Sequence, residues 1–481
     1  MWKNYARNPK IVKNLWAFYL FAHIGNDKIV KITYEKGMEG KFMQKSRGSI
    51  FEWDGIPQFR QALPMALQHV VAMIVGCVTP AIIVSGVAGI SEQDQLILIQ
   101  TSLFVSAIST LLQLFPIYNK GNFQLGSALP MFVGISFAYV PSMQAIAAST
   151  NVATILGAQI VGGICAVIVG IFIRQIRVLF PPIITGTVVF TIGLSLYPTA
   201  INYMAGGSGR PGYGSWQNWL VAIFTLAVVT GLNHFAKGIL KLASILIGIV
   251  AGYAFSACFG LVDLSGISTA GYFSAPKLLH FGIEFEPSAC IAIAILFVIN
   301  SIQAIGDFTA TTTGSMDREP TDKEVQGGII MYGLSNILGA CVSGLPTATY
   351  SQNVGIITTT KVVNRWVLGL AAVILMIAGF LPKFSALLTT IPYAVLGGAT
   401  ISVFASISVT GMRLITQSGL NYRNGAIVGL AVALGVGVTQ ASASLSGFPE
   451  WVTTVFGKSP VVLATVVAII LNIILPEEKS E

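Results

Sequence analysis

From residue 62 to the carboxyl terminus the chain supplies apolar stretches of about twenty residues almost without interruption, and this constrains the fold more than anything else. A hydrocarbon core of roughly 30 Å asks for about 20 apolar residues per helix. Charged residues make up 10% of the chain and hydrophobic ones 54%, where soluble domains carry nearer a quarter charged. The chain therefore reads as an all-α polytopic membrane protein. Spans are expected near 63–83, 95–116, 128–147, 152–173, 177–197, 217–236, 240–261, 288–311, 326–343, 346–360, 365–387, 391–410, 424–444 and 459–475. That makes fourteen spans, between an amino-terminal segment 1–62 and a tail 476–481.

The net charge of +8 follows the membrane, not a nucleic acid. Much of the excess precedes the first span, from Lys3 and Arg7 to Arg47 and Arg60. The rest falls mostly in alternate loops, as the positive-inside rule requires. The loop 84–94 has no Lys or Arg, whereas Arg174, Arg177, Lys237, Lys241, Lys361 and Arg365 fall on the other side. An even number of spans then puts both termini in the cytoplasm, in the inner membrane of a cell. Leu15 to Gly25 is a short apolar run followed by charged sequence, without the small-residue pattern of a signal peptide. The five cysteines lie apart within apolar stretches and read as small core residues. No metal or cofactor site is expected.

Two spans are poor simple helices. Leu125 to Pro141 contains Gly126, Pro130, Gly134 and Pro141; Gly344 to Thr360 contains Gly344, Pro346, Gly355 and a run of threonines. Non-helical backbone survives in lipid only where protein buries it or it lines a cavity. Interrupted spans in matching positions of two halves point to a transporter's binding site. The halves do match. Phe180-Pro181-Pro182-Ile183-Ile184-Thr185-Gly186 opens the fifth span and Ile391-Pro392-Tyr393-Ala394-Val395-Leu396-Gly397 the twelfth, with the same step from Pro to Gly. Spans 1–7 (residues 63–287) and 8–14 (288–475) thus form two repeats. Seven is odd, so the second copy is inverted.

Of nineteen acidic residues only Asp307 lies well inside a span, four residues after Gln303 and on the same helix face. A charge there is costly and marks a functional site: Asp307 either couples or contacts the ligand, or orders the broken helices. His69 is the one histidine in the middle of a span, and either shuttles protons or makes an interhelical hydrogen bond. The second broken span carries Tyr350-Ser351-Gln352-Asn353. A Gln amide offers a donor and an acceptor in one plane, complementing the C=O and N–H edge of a lactam heterocycle, or else it caps the helix. Phe137 in the first broken span stacks on a ring face or packs in the core. Helices restarting at these points would aim their positive ends at mid-membrane. The spans show no nucleophile–base pair, metal cluster or phosphate loop, so an enzyme is not indicated.

At these residues the sequence resembles the nucleobase–ascorbate transporter family, also called nucleobase–cation symporter 2, from about residue 62 to 475. Gln352-Asn353-Val354-Gly355 with Thr360-Lys361 is similar to its signature. Leu67-Gln68-His69, Ser136-Phe137-Ala138-Tyr139, Gly306-Asp307-Phe308-Thr309 and Gly333-Leu334-Ser335-Asn336 support the likeness. The resemblance implies a core domain from spans 1–4 and 8–11, a gate domain from spans 5–7 and 12–14, short strands in spans 3 and 10, and a homodimer. It implies a secondary active purine carrier, for xanthine or urate, in which Phe137 stacks on the base, Gln303 and Gln352 bind its edge beside Tyr350, and Phe404 closes from the gate side. Asp307, His69 and Asn353 would support or couple. Two positions depart from the pattern: the family usually has Glu where this chain has Gln303, and purine members often have Asp where it has Tyr332. Gln303 cannot titrate, so proton symport through that residue is excluded; coupling would pass to Asp307 or His69, use Na+ instead of H+, or be absent. A uracil-type or other nucleobase carrier, or an inorganic-anion carrier of the same architecture, is the alternative.

Overall fold

A computed structural model describes residues 49–476 apart from 122, 177–180, 265–266, 269, 450–451 and 458. The basic segment before residue 49, the tail beyond 476, and Arg177 and Phe180 lie outside the described residues.

The elements begin and end where local chemistry dictates. α1 (Phe59–Ala88) stops at Gly89, whose φ of 61° lies in the left-handed region. α2 (Glu92–Leu114) starts at Ser91, whose Oγ accepts from the Asp94 amide at 3.1 Å. Two short strands follow, β1 (Tyr118–Lys120) and β2 (Phe123–Leu125), then β3 (Val133–Ile135), a single 3-10 turn at Phe137–Tyr139 and α3 (Val140–Ser149). Asn151 caps α4 (Val152–Ile171), and Pro181 leads into α5 (Pro182–Met204). α6 (Trp216–Phe235) and α7 (Ser244–Ala257) complete the first half.

The second half opens with α8 (Pro287–Ser315), its first amides held by the Glu286 carboxylate. α9 (Asp322–Cys341) begins with a reciprocal capping box between Thr321 and Glu324. β4 (Thr347–Thr349) and α10 (Ser351–Thr360) follow, then α11 (Arg365–Gly379) and α12 (Pro382–Thr389), α13 (Tyr393–Gln417), α14 (Tyr422–Gln440) and α15 (Pro460–Ile474).

Eight helices among the described residues are long and apolar enough to cross a membrane, and α11 with α12, bent by 82° at their junction, makes a ninth if taken as one. The fourteen apolar stretches therefore do not each become one long helix. Residues 128–147 and 346–360 are divided between a strand and a ten-residue half-helix, and residues 240–261 and 459–475 yield helices of 14 and 15 residues. Glycine, proline and β-branched threonine cause the first two interruptions, because each disfavours continued helix.

Packing falls into two sets. α4 lies against α8 and α9, and α11 against α1 and α2. α5 lies along α13, which also meets α6; α6 meets α7, and α15 packs on both α5 and α14. The α5–α13 crossing is antiparallel and closes on glycine. A Cβ on Gly186 would lie 2.8 Å from the Ile415 amide nitrogen, on Gly193 2.6 Å from that of Ser408, on Gly411 2.3 Å from that of Phe190 and on Gly397 2.3 Å from that of Met204. Apolar lipid gives helices no hydrophobic reason to associate, so close backbone approach at small residues supplies the contact.

Candidate functional site

β3 and β4 meet antiparallel, with Val133 opposite Thr349, Gly134 opposite Ala348 and Ile135 opposite Thr347. Extended backbone leaves polar groups that a lipid-embedded chain must satisfy internally, and neighbouring helices provide for them. Thr110 on α2 donates through Oγ1 to the Val133 carbonyl at 2.9 Å and accepts from the Val133 amide at 3.0 Å. Ser106 accepts from the Ile135 amide at 3.3 Å, and Asn336 on α9 accepts from the Thr347 amide at 2.8 Å. The Tyr350 amide donates to the Phe132 carbonyl at 2.9 Å, just beyond the strand pair.

Each strand hands over to a helix start. After β3, Ser136 Oγ accepts from the Ala138 amide at 3.2 Å as the 3-10 turn begins at Phe137. After β4, Tyr350 precedes α10 with no side-chain cap, so the first amides of α10, at Ser351 and Gln352, have neither an intrahelical acceptor nor a side-chain cap. Between these two starts lies a cavity of about 230 Å³, smaller than the ~300–1,000 Å³ usual for drug-sized ligands and suited to a compact molecule. Phe137, Gln303, Tyr350 and Gln352 all line it, as do Ser136, Thr349 and Ser351. Its opposite wall comes from Val189 and Ile192 on α5 and from Ser406, Ile407 and Thr410 on α13.

The remaining residues singled out from sequence sit around this chamber, not in its wall. Phe404 is fully buried and meets the Phe137 ring edge-on, with centroids 5.1 Å apart. Asp307, one turn along α8 from Gln303, is buried and accepts from the Thr349 hydroxyl and, at 2.8 Å, from Ser351 Oγ. Its carboxylate thus ties the strand–helix junction to α8 through charge-assisted bonds. His69 stacks on Phe132 at 4.7 Å, and the Asn353 amide nitrogen lies 3.2 Å from His69 Nδ1 and 3.4 Å from its carbonyl. This pair joins α10 to α1 away from the cavity.

Tyr350 is held on its core side. Its ring is wedged between Gly76 and Gly134, where an added Cβ would approach ring carbons to 2.9 Å and 2.2 Å, and its hydroxyl donates to the Ile135 carbonyl at 2.7 Å. Tyr332 is fully buried with its hydroxyl bonded to that of Tyr139, and both rings pack on Phe297.

Sequence reasoning set Phe404 on the gate side but missed the residues of the α5–α13 wall that line the cavity: Val189, Ile192, Ser406, Ile407 and Thr410. A signal existed on α13: Ser402, Ser406 and Thr410 recur every four residues, placing hydroxyls along one face of an apolar helix. Val189, Ile192 and Ile407 carry none, because apolar residues in an apolar span are indistinguishable from lipid-facing ones. Among the described residues no group of three or more His, Cys, Asp or Glu is placed to hold a metal ion.

A sequence model described as "Permease family" matches residues 60–444. The chain is 35% identical over 415 residues to the putative purine permease CPE0397 of Clostridium perfringens, covering 86% of this chain and 90% of that one. It is 33% identical over 417 residues to the uric acid permease PucJ of Bacillus subtilis (85% and 91% covered) and 32% identical over 442 residues to the xanthine permease XanQ of Escherichia coli K12 (89% and 94%). In fold it is similar to the transmembrane domain of the cyanobacterial bicarbonate transporter BicA, with a TM-score of 0.53 at 15% identity over 86% of this chain and 98% of that one. Murine Slc26a9, an anion transporter, gives 0.52 at 10% over 87% and 68%. These matches extend over most of the chain: it is a multi-pass membrane permease, not an enzyme, and belongs to the nucleobase–ascorbate transporter family.

Proposed function

We propose that the protein carries a purine base of the xanthine or uric acid type by alternating access, the base sitting in the cavity between β3, β4, α8 and the α5–α13 wall. The observation that carries this reading is the convergence of Phe137, Gln303 and Gln352 on one chamber between two helix starts. Phe137 stacks on the ring while the two amides read donor–acceptor pairs on its edge. Tyr350 braces the strand pair through the Ile135 carbonyl, Phe404 backs Phe137 from α13, and Asp307 fixes where α10 begins. Asn353 with His69 locks α10 to α1. The names of the relatives, purine, uric acid and xanthine permeases, support the substrate class.

In this reading fourteen spans form two inverted repeats. The reciprocal α5–α13 crossing supports it: Gly186, near the start of α5, meets Ile415 near the end of α13, and the matching Gly397 near the start of α13 meets Met204 at the end of α5. The two packing sets, α1–α4 with α8–α12 and α5–α7 with α13–α15, support a core that moves against a gate. The inner membrane with both termini cytoplasmic, and a homodimer, complete the proposal. Proton coupling, where it occurs, does not pass through Gln303, whose amide does not titrate.

Uptake of radiolabelled xanthine by cells producing the chain tests this, with unlabelled uric acid and uracil as competitors. Saturable uptake that uric acid inhibits more strongly than uracil is expected. Absence of uptake, with no base competing, overturns the assignment. An inorganic-anion carrier would need no edge reader, so flux indifferent to Gln352→Ala would favour that alternative.

A further inference from the structure

The far wall of the cavity carries two hydroxyls whose protons are already committed. Ser406 Oγ donates to the Ser402 carbonyl at 2.9 Å, and Thr410 Oγ1 donates to the Ser406 carbonyl at 2.9 Å. A hydroxyl has one proton and two lone pairs, so each oxygen is left as an acceptor. Their neighbours on this wall, Val189, Ile192 and Ile407, offer no polar side-chain atom. The opposite wall holds the Gln303 and Gln352 amides, which both donate and accept. The chamber is therefore chemically two-sided: one side accepts only, and the other reads mixed edges.

We propose that Ser406 and Thr410 determine specificity by accepting N–H groups from the five-membered ring of an oxopurine whose six-membered lactam edge faces Gln303 and Gln352. The inference rests on the purine-carrier reading. Xanthine and uric acid carry N–H on the imidazole-side ring. Uracil presents only C–H on the corresponding edge and leaves both acceptors unpaired. Desolvating an acceptor without pairing it is unfavourable, so the α13 wall selects against single-ring bases. Both residues stand on α13, which the proposed transport cycle moves relative to the amides. The two edges of a bicyclic base can thus be gripped from both sides only when the walls approach.

The test compares xanthine with 7-methylxanthine and 9-methylxanthine as inhibitors of labelled xanthine uptake, in the wild type, in Thr410→Val and in Ser406→Ala. Valine keeps the shape of threonine and removes its oxygen. Wild type should disfavour at least one methylated base about tenfold or more, and that penalty should shrink severalfold in at least one variant, measured only in variants that reach the membrane in normal amounts. A penalty of equal size in the wild type and both variants overturns the proposal, since the methyl group would then be excluded by shape alone. So does the absence of any methylation penalty in the wild type. Failure of xanthine uptake in the wild type is a different result and removes the underlying carrier assignment instead.

Discussion

In the proposed reading, Gln303 separates substrate recognition from proton coupling. It lines the cavity on α8, one turn from a buried Asp307 whose oxygens already accept two hydroxyls. An amide keeps a donor and an acceptor at every pH, whereas a carboxylate donates only when protonated. Gln303→Glu should therefore give uptake that falls as pH rises through the introduced group's pKa, as the donor is lost, while wild type shows no such step. A pH series of initial uptake rates checks this; identical profiles would place residue 303 outside the recognition edge. Removing the tie behind it has a different signature. Asp307→Ala strands Thr349 and Ser351 without an acceptor, at about 1–3 kcal/mol for a buried group, and should lower the melting temperature of the purified protein as well as uptake. The polar candidates were legible because polar groups are rare in these spans, whereas Phe404 rested on the family resemblance. What the sequence could not show is direction: Gln352 and Asn353 are adjacent, yet only Gln352 lines the chamber, because half-helix rotation is set by packing.

At the scale of elements, close approach explains the strand pair and the helix crossing alike. Gly134 lies in β3 directly under the Tyr350 ring. Gly134→Ala should cost about 1–3 kcal/mol by overpacking, because the ring on the other side is boxed in by Gly76. On α13, Gly411→Ala meets the Phe190 backbone and should destabilise similarly, whereas Gly429→Ala on α14 meets nothing within 4 Å and should be neutral or stabilising by up to ~1 kcal/mol. Thermal melts of the three variants in detergent test the contrast; equal effects at Gly411 and Gly429 would argue against the crossing. The interruptions were readable from clustered Gly, Pro and Thr. The strand register was not, because Thr110, Ser106 and Asn336, which satisfy the strand backbone, come from distant helices.

For the whole molecule, hydropathy located the apolar stretches but overstated how many are simple helices. Residues 240–261 and 459–475 are predominantly apolar, yet give helices of 14 and 15 residues. Periodicity was equally silent about which helices cluster, since in lipid both exposed and buried faces are apolar. In the proposed carrier a base binds between the two helix starts and is read there by Gln352. Titration of purified protein with xanthine, comparing wild type with Gln352→Ala, addresses it most directly. Loss of the amide should weaken binding about tenfold or more, as expected for a buried hydrogen-bonded edge left unpaired. Equal affinity in the two proteins would contradict the claim.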